Sequence, residues 1–152
     1  MSGAIVVGVD GSDASHDALR WAADEARLRD ARLVAVHAWT FIPPQPMGDP
    51  GLLAMPAGDL AGQLSAETDA ASAVLSSAVE SLGSSPAVEV EQRVVEGDPG
   101  EALVAESKDA ELVVVGSHGR SGLTAALIGS VSRHVVNHAA CPVVVVKASG
   151  SG

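Results

Sequence analysis

Apolar positions along the chain fall into two alternating spacings. Ala4 to Val9 is a near-continuous run rich in β-branched residues, and Asp10-Gly11-Ser12 breaks it. Apolar side chains then recur at Ala18, Leu19, Ala22, Ala23 and Ala26, with Arg20, Asp24 and Arg27 off that stripe, so a helix is predicted there. Ser12 or Asp13 is expected to cap its start. Leu33 to His37 is a second short apolar run. Leu64, Ala71, Leu75, Ala78 and Leu82 return to helical spacing and stop at Gly83. Val88 to Val95 alternates apolar with charged residues, the pattern of a strand with one wetter side. Asp98-Pro99-Gly100-Glu101 carries the marks of a helix start: an acid at the cap, proline at the first position and a glutamate three residues after the cap. Glu111 to Val115 is another buried-type strand ending in Gly116. A short helix is predicted over Ser130 to His138, and Val143 to Val146 closes the series.

Strand and helix thus alternate about five times, and most of the strands are apolar on both faces. A parallel sheet covered by helices produces that pattern, so the predicted class is an α/β open-sheet fold. No linker divides the chain. Residues 1–148 are expected to form one domain, with 149–152 a disordered tail. Residues 41–62 stand apart, because Pro43, Pro44, Pro46, Pro50 and Pro56 among several glycines resist both helix and sheet. That segment reads either as a mobile insertion or as a lid over a ligand. Ile5-Val-Val-Gly-Val-Asp-Gly-Ser is also echoed by Leu112-Val-Val-Val-Gly-Ser-His-Gly. In open α/β sheets, ligands sit beyond the carboxyl ends of the strands where the winding direction switches. Two strand ends with similar small-residue turns are candidates for that crevice.

Composition narrows the partner. Of 152 residues, 47% are apolar and only 2% aromatic, so the core must be made of Ala, Val, Leu and Ile. A formal charge of −10 excludes a nucleic acid polymer or an anionic membrane as the main partner. The single Cys141 rules out an internal disulfide and a zinc cluster, and before Pro142 it reads as a small buried hydrophobe. No apolar stretch reaches the length of about 18 residues that spans a bilayer. The start Met1-Ser-Gly-Ala lacks the basic residues of a signal peptide. A soluble, cytoplasmic protein is expected.

The chemistry concentrates in the segment from Gly116 to Ser130. Gly116 and Gly119 let the backbone turn closely and aim N–H groups at an anion. Gly129-Ser130 then opens a helix, whose first N–H groups and positive dipole end face the same anion, with the Ser130 hydroxyl as a further donor. A phosphate chain between the two turns would be held from both sides without a lysine cluster. This is no Walker loop, since Gly-Lys-Ser/Thr is absent, and no dinucleotide fingerprint, since the spacing differs. Plainer roles stand beside these. Asp10 can accept hydrogen bonds in the turn before the first helix. Arg120 can be a solvated loop charge. His118 has no neighbouring carboxylate or cysteine in the sequence to make it catalytic or metal-binding. His134 and His138 share one helix face, a spacing that can hold a metal, but the sequence offers no third ligand.

Gly116-x2-Gly119-x9-Gly129-Ser130 resembles the nucleotide-binding motif of the ATP-binding branch of the universal stress proteins. The resemblance runs nearly end to end, through Ile5 to Ser12, Val94 to Asp98, Gly116 to Leu123, Gly129 to Val131 and Cys141 to Val146. It implies a Rossmann-like open sheet of five parallel strands in the order 3-2-1-4-5, with helices on both faces. It further implies that adenine lies between the ends of the first and second strands, at Asp10 and Gly11 and at His37-Ala38. The phosphates would lie on Gly116, His118, Gly119, Arg120, Gly129, Ser130, Val131 and Ser132, with Gly97 lining the pocket. Many relatives carry basic residues where this chain has Thr124-Ala125-Ala126. Only Arg120 and Arg133 remain there to offset phosphate charge.

The expected function is therefore a cytoplasmic stress-response regulator that binds ATP, with or without Mg²⁺. The sparse basic residues keep a cyclic AMP or AMP-binding module open as an alternative. A slow ATPase is the third reading, although the chain has no Walker lysine and no general-base constellation in the motif. No catalytic residue and no metal ligand is assigned. Val143 to Val146, apolar and expected at a sheet edge, invites pairing with its twin, and the resemblance implies the same homodimer.

Overall fold

A computed structural model of the protein describes residues 3–40, 57–83, 88–118 and 128–148. The expectations for residues 41–56, for Gly119, Arg120 and Thr124 to Ala126, and for the tail at 149–152 lie outside these. Nine elements follow in chain order: β1 (Ala4–Gly8), α1 (Asp13–Arg29), β2 (Arg32–Trp39), α2 (Ala57–Glu80), β3 (Val90–Glu96), α3 (Pro99–Ser107), β4 (Leu112–Gly116), α4 (Ser130–His138) and β5 (Val143–Val146). The five strands form one sheet in the order β3-β2-β1-β4-β5, and every neighbouring pair is parallel.

Side-chain alternation along the strands makes two cores. One face of the sheet carries Ile5, Val7, Leu33, Ala35, Leu112 and Val114, covered by α1 and α2. The other carries Ala4, Val6, Val34, Val36, Val113 and Val115, covered by Leu103 of α3 and Val135 of α4. Strands buried on both faces read as continuous apolar runs for this reason. The internal echo has a structural counterpart as well. Ile5, Val6 and Val7 pair in register with Leu112, Val113 and Val114, so the two similar segments are the adjacent central strands β1 and β4.

Local chemistry sets the helix ends. Ser12, not Asp13, caps α1, its hydroxyl accepting from the Ser15 N–H, and Asp98 caps α3 by accepting from the Glu101 N–H. The far end of α1 stops at Asp30 in the left-handed region, with φ 53°. Several boundaries differ from expectation by a residue or two, and two differences have a visible cause. Helix α2 starts at Ala57, so the end of the Pro/Gly-rich segment is helical; no proline lies between Pro56 and the helix end at Glu80, and two glycines do not stop a helix that has Leu75 and Ala78 to bury. Strand β2 continues past His37 to Trp39, because β3 pairs with it along that whole length.

Candidate functional site

Strands β1 and β4 lie side by side but lead to helices on opposite faces, so their carboxyl ends diverge around a crevice. A cavity of about 360 Å³ opens there. Its floor is Gly8, Val9 and Asp10 after β1 and Val115 and Gly116 at the end of β4. Val36 and Ala38 of β2, Ser15 of α1, and Pro99 and Leu103 of α3 form the sides, and Gly129 to Ser132 with His118 form the remaining wall. Most of the lining is apolar. Among its described residues only Asp10 and His118 are titratable, and none is Lys or Arg.

The turn after β1 is held by its own polar groups. Asp10 Oδ1 accepts from the Ser12 N–H at 2.9 Å and from the Ser12 hydroxyl. The buried Ser15 hydroxyl accepts from the Asp10 N–H and donates to the Ser12 carbonyl at 3.0 Å. Gly11 takes φ 85°, which favours glycine. Asp10 therefore performs the plain turn role and lines the cavity as well, whereas Gly11 does not line it.

The loop after β4 leaves and returns at nearly one point. The Gly129 N–H donates to the Ser117 carbonyl at 2.7 Å, and the Arg133 N–H donates to Gly129 O at 3.0 Å as the first bond of α4. The amides of Ser130, Val131 and Ser132 consequently have no acceptor within the helix, and they border the cavity. The buried Ser132 hydroxyl donates to Gly116 O, so it locks α4 to the end of β4. Gly116 is needed for a reason other than a tight turn. Its φ is not left-handed, but an added Cβ would stand 2.9 Å from the carbonyl carbon of Ala14, so β4 ends against the first turn of α1. His118 rests with Nδ1 3.0 Å from the hydroxyl of Ser117, which is itself buried.

Besides Gly11, two expected positions fall away from the cavity. His37 points to the other face of β2, with Nδ1 2.8 Å from Val9 O, so of His37 and Ala38 only the second lines the crevice. Gly97, at φ 140°, donates its N–H to Trp39 O at 2.8 Å and extends the β2–β3 ladder, one strand outside the crevice. Val36, Pro99 and Leu103 are lining residues that motif reading misses; the strand period of two marks Val36 once Ala38 is placed. Nothing local marks Leu103, which arrives with α3.

Elsewhere, the rings of His134 and His138 stack with centroids 4.5 Å apart, and His134 Nε2 lies 3.0 Å from Glu101 Oε1. Among the described residues no group of three or more His, Cys, Asp or Glu side chains is placed to hold a metal, and no helix is long and apolar enough to cross a membrane. Burial pushes the Cys141 thiol above its usual range.

A family model described as the universal stress protein family matches residues 1–147. A universal stress protein of Mycobacterium tuberculosis strain H37Rv is 41% identical over 146 residues, which is 95% of this chain but 45% of that relative; the chain thus spans about half the length of such relatives. Among solved structures, a universal stress protein in complex with cAMP superposes with TM-score 0.68 at 29% identity, covering 97% of this chain and 98% of that one. The universal stress protein from Archaeoglobus fulgidus in complex with dAMP gives TM-score 0.57 at 29% identity, over 95% and 98% of the two chains.

Proposed function

The chain belongs to the universal stress protein family, and from that premise we propose that it binds an adenine nucleotide in the crevice beyond β1 and β4. The observation that carries this reading is the crevice itself. Apolar walls suited to a flat base meet a helix N-terminus whose first amides have no acceptor within the helix. The base would lie towards Val36 and Ala38, and the phosphate on the amides of Ser130 to Ser132, with Gly119 and Arg120 completing the cradle. ATP is the ligand this reading takes first. Mg²⁺ would reach Asp10 only through the carboxylate oxygen that does not hold the Ser12 turn. Bound nucleotide would act as a signal in a cytoplasmic stress response, stabilising the folded protein and changing what it can dock with. Two copies would pair along β5, whose valines stand at the sheet edge, neither fully buried nor blunted by charge.

A second reading has its own support. No Lys or Arg stands among the described lining residues, and the two solved relatives above carry cAMP and dAMP, each with one phosphate. A monophosphate needs only the amide cradle, whereas a triphosphate brings charge that Arg120 must offset. Calorimetric titration with ATP, ATP plus Mg²⁺, AMP and cyclic AMP separates the readings. ATP binding at least as tightly as AMP supports the first, and a preference of tenfold or more for the monophosphates, about 1.4 kcal/mol, supports the second. Absence of heat with all of them would sink both. Hydrolysis that persists after repurification and disappears in Asp10→Ala would instead support an ATPase.

A further inference from the structure

Helix α3 is fastened to α4 and its following turn at two points of different character. At its C-terminal end the buried Ser107 hydroxyl accepts the Ala140 N–H at 2.8 Å and donates to Val104 O. At its N-terminal end Glu101 Oε1 lies 3.0 Å from His134 Nε2, and both side chains reach solvent, 70% and 32% exposed. The His134 ring presses on the α3 backbone: a Cβ added at Gly100 would stand 2.9 Å from ring Cδ2. This second contact is at the mouth of the crevice. Pro99 and Leu103, which flank Gly100 and Glu101 on α3, line the cavity, as do Ser130 to Ser132, which precede His134 on α4. The distance between the two helices at His134 thus bears on the width of the crevice.

We propose that Glu101 and His134 form a clasp that fixes this width, so that nucleotide affinity follows the protonation of His134. The inference rests on the nucleotide reading above. His134 is a positioning residue, because it does not itself line the crevice. A neutral imidazole offers Glu101 a single hydrogen bond, and a protonated one adds charge attraction to it. On the α3 side the ring meets Glu101, and the cap residue Asp98 is nearby, its Oδ2 3.1 Å from the same Gly100 point; on α4 it stacks on His138, whose Nδ1 lies 3.1 Å from His134 O, with Arg133 adjacent in the chain. Strand β5 presents only valines. Both carboxylates attract a charged His134 ring, whereas a proton on His138 repels one. Mild acid thus tightens the clasp at its cleft end, while the Ser107 staple holds the far end at any pH.

The test is calorimetry of the full chain with cyclic AMP, whose phosphodiester keeps one charge throughout, at about pH 6 and about pH 8, the range over which imidazoles change charge. Wild type, Glu101→Gln and His134→Gln are compared. From the lower to the higher pH, affinity is expected to fall about two- to fivefold more in wild type than in Glu101→Gln, the range an exposed ion pair supports. The imidazole of His118, which lines the crevice, contributes to both proteins and cancels in that comparison. Equal pH ratios in the two proteins would overturn the clasp. Amide hydrogen exchange of the ligand-free protein gives an independent reading: residues 100–103 should exchange faster in Glu101→Gln, with residues near Ser107 unchanged. Equal exchange at 100–103 would also overturn it. If wild type binds neither cyclic AMP nor ATP, the nucleotide reading and the affinity claim both fail, and exchange alone decides whether the clasp exists.

Discussion

At the scale of single residues, the glycines of the motif divide by what they touch. Gly116 is pinned by the Ala14 backbone, which cannot move aside without displacing α1. Gly116→Val should therefore cost about 1–3 kcal/mol, as overpacking does, and lower the midpoint of thermal unfolding. The same change should weaken nucleotide binding, since Gly116 lines the crevice. Gly97→Ala makes the contrast. Its left-handed φ resists a side chain, but an added Cβ meets nothing within 4 Å and the position is off the crevice. It should lose some stability and keep its affinity; a Gly97→Ala variant that loses binding selectively would contradict this placement. Cys141 permits a prediction in pH. Burial favours its neutral thiol, so the folded protein holds less thiolate at a given pH than the unfolded chain does. Alkylation by iodoacetamide at about pH 8 should be slower in native buffer than in urea, with the gap closing as pH rises past the native value.

At the scale of elements, the two edges of the sheet are treated differently. Edge strand β3 carries Arg93 between Glu91 and Glu106, and Arg32 of β2 reaches Glu91, so charges occupy that border. Hydrogen bonding to Glu91 and attraction from both carboxylates hold the Arg93 guanidinium above its ordinary range. Edge strand β5 has four valines, each partly exposed. If β5 pairs with its twin, Val144→Lys should convert a dimer into a monomer or an aggregate, measured by light scattering. A wild-type monomer at micromolar concentration would end that proposal.

At the scale of the whole molecule, the net charge of −10 would bear on which nucleotide the proposed crevice takes. Backbone amides and a helix end can hold phosphate at short range, but an acidic surface repels a triphosphate on approach. Raising ionic strength from about 10 mM to about 150 mM shortens the screening length from about 30 Å to about 8 Å. ATP association should accelerate over that range, and cyclic AMP, with a single charge, should change less; stopped-flow traces showing the reverse order would mean that a basic patch steers the ligand.

Much of this was legible in one dimension. Runs apolar on both faces could only be covered strands, and the caps at Ser12 and Asp98 act within a single turn, so the α/β class and most elements follow from local chemistry. The glycine spacing and the matching blocks likewise marked the loop after β4 and the family it resembles. What the sequence alone could not decide depends on which strands become neighbours. The blocks at Ile5 to Ser12 and Gly116 to Leu123 lie about a hundred residues apart in the chain, and only the order β3-β2-β1-β4-β5 brings the ends of β1 and β4 together and moves Gly97 a strand away. His37 and Ala38 are adjacent in sequence, yet the pleat turns them to opposite faces, and α3 brings Leu103 into the crevice. Gly116 is a glycine in any reading, but that it must be one became evident only when α1 packed against it, because the atom that would clash belongs to Ala14.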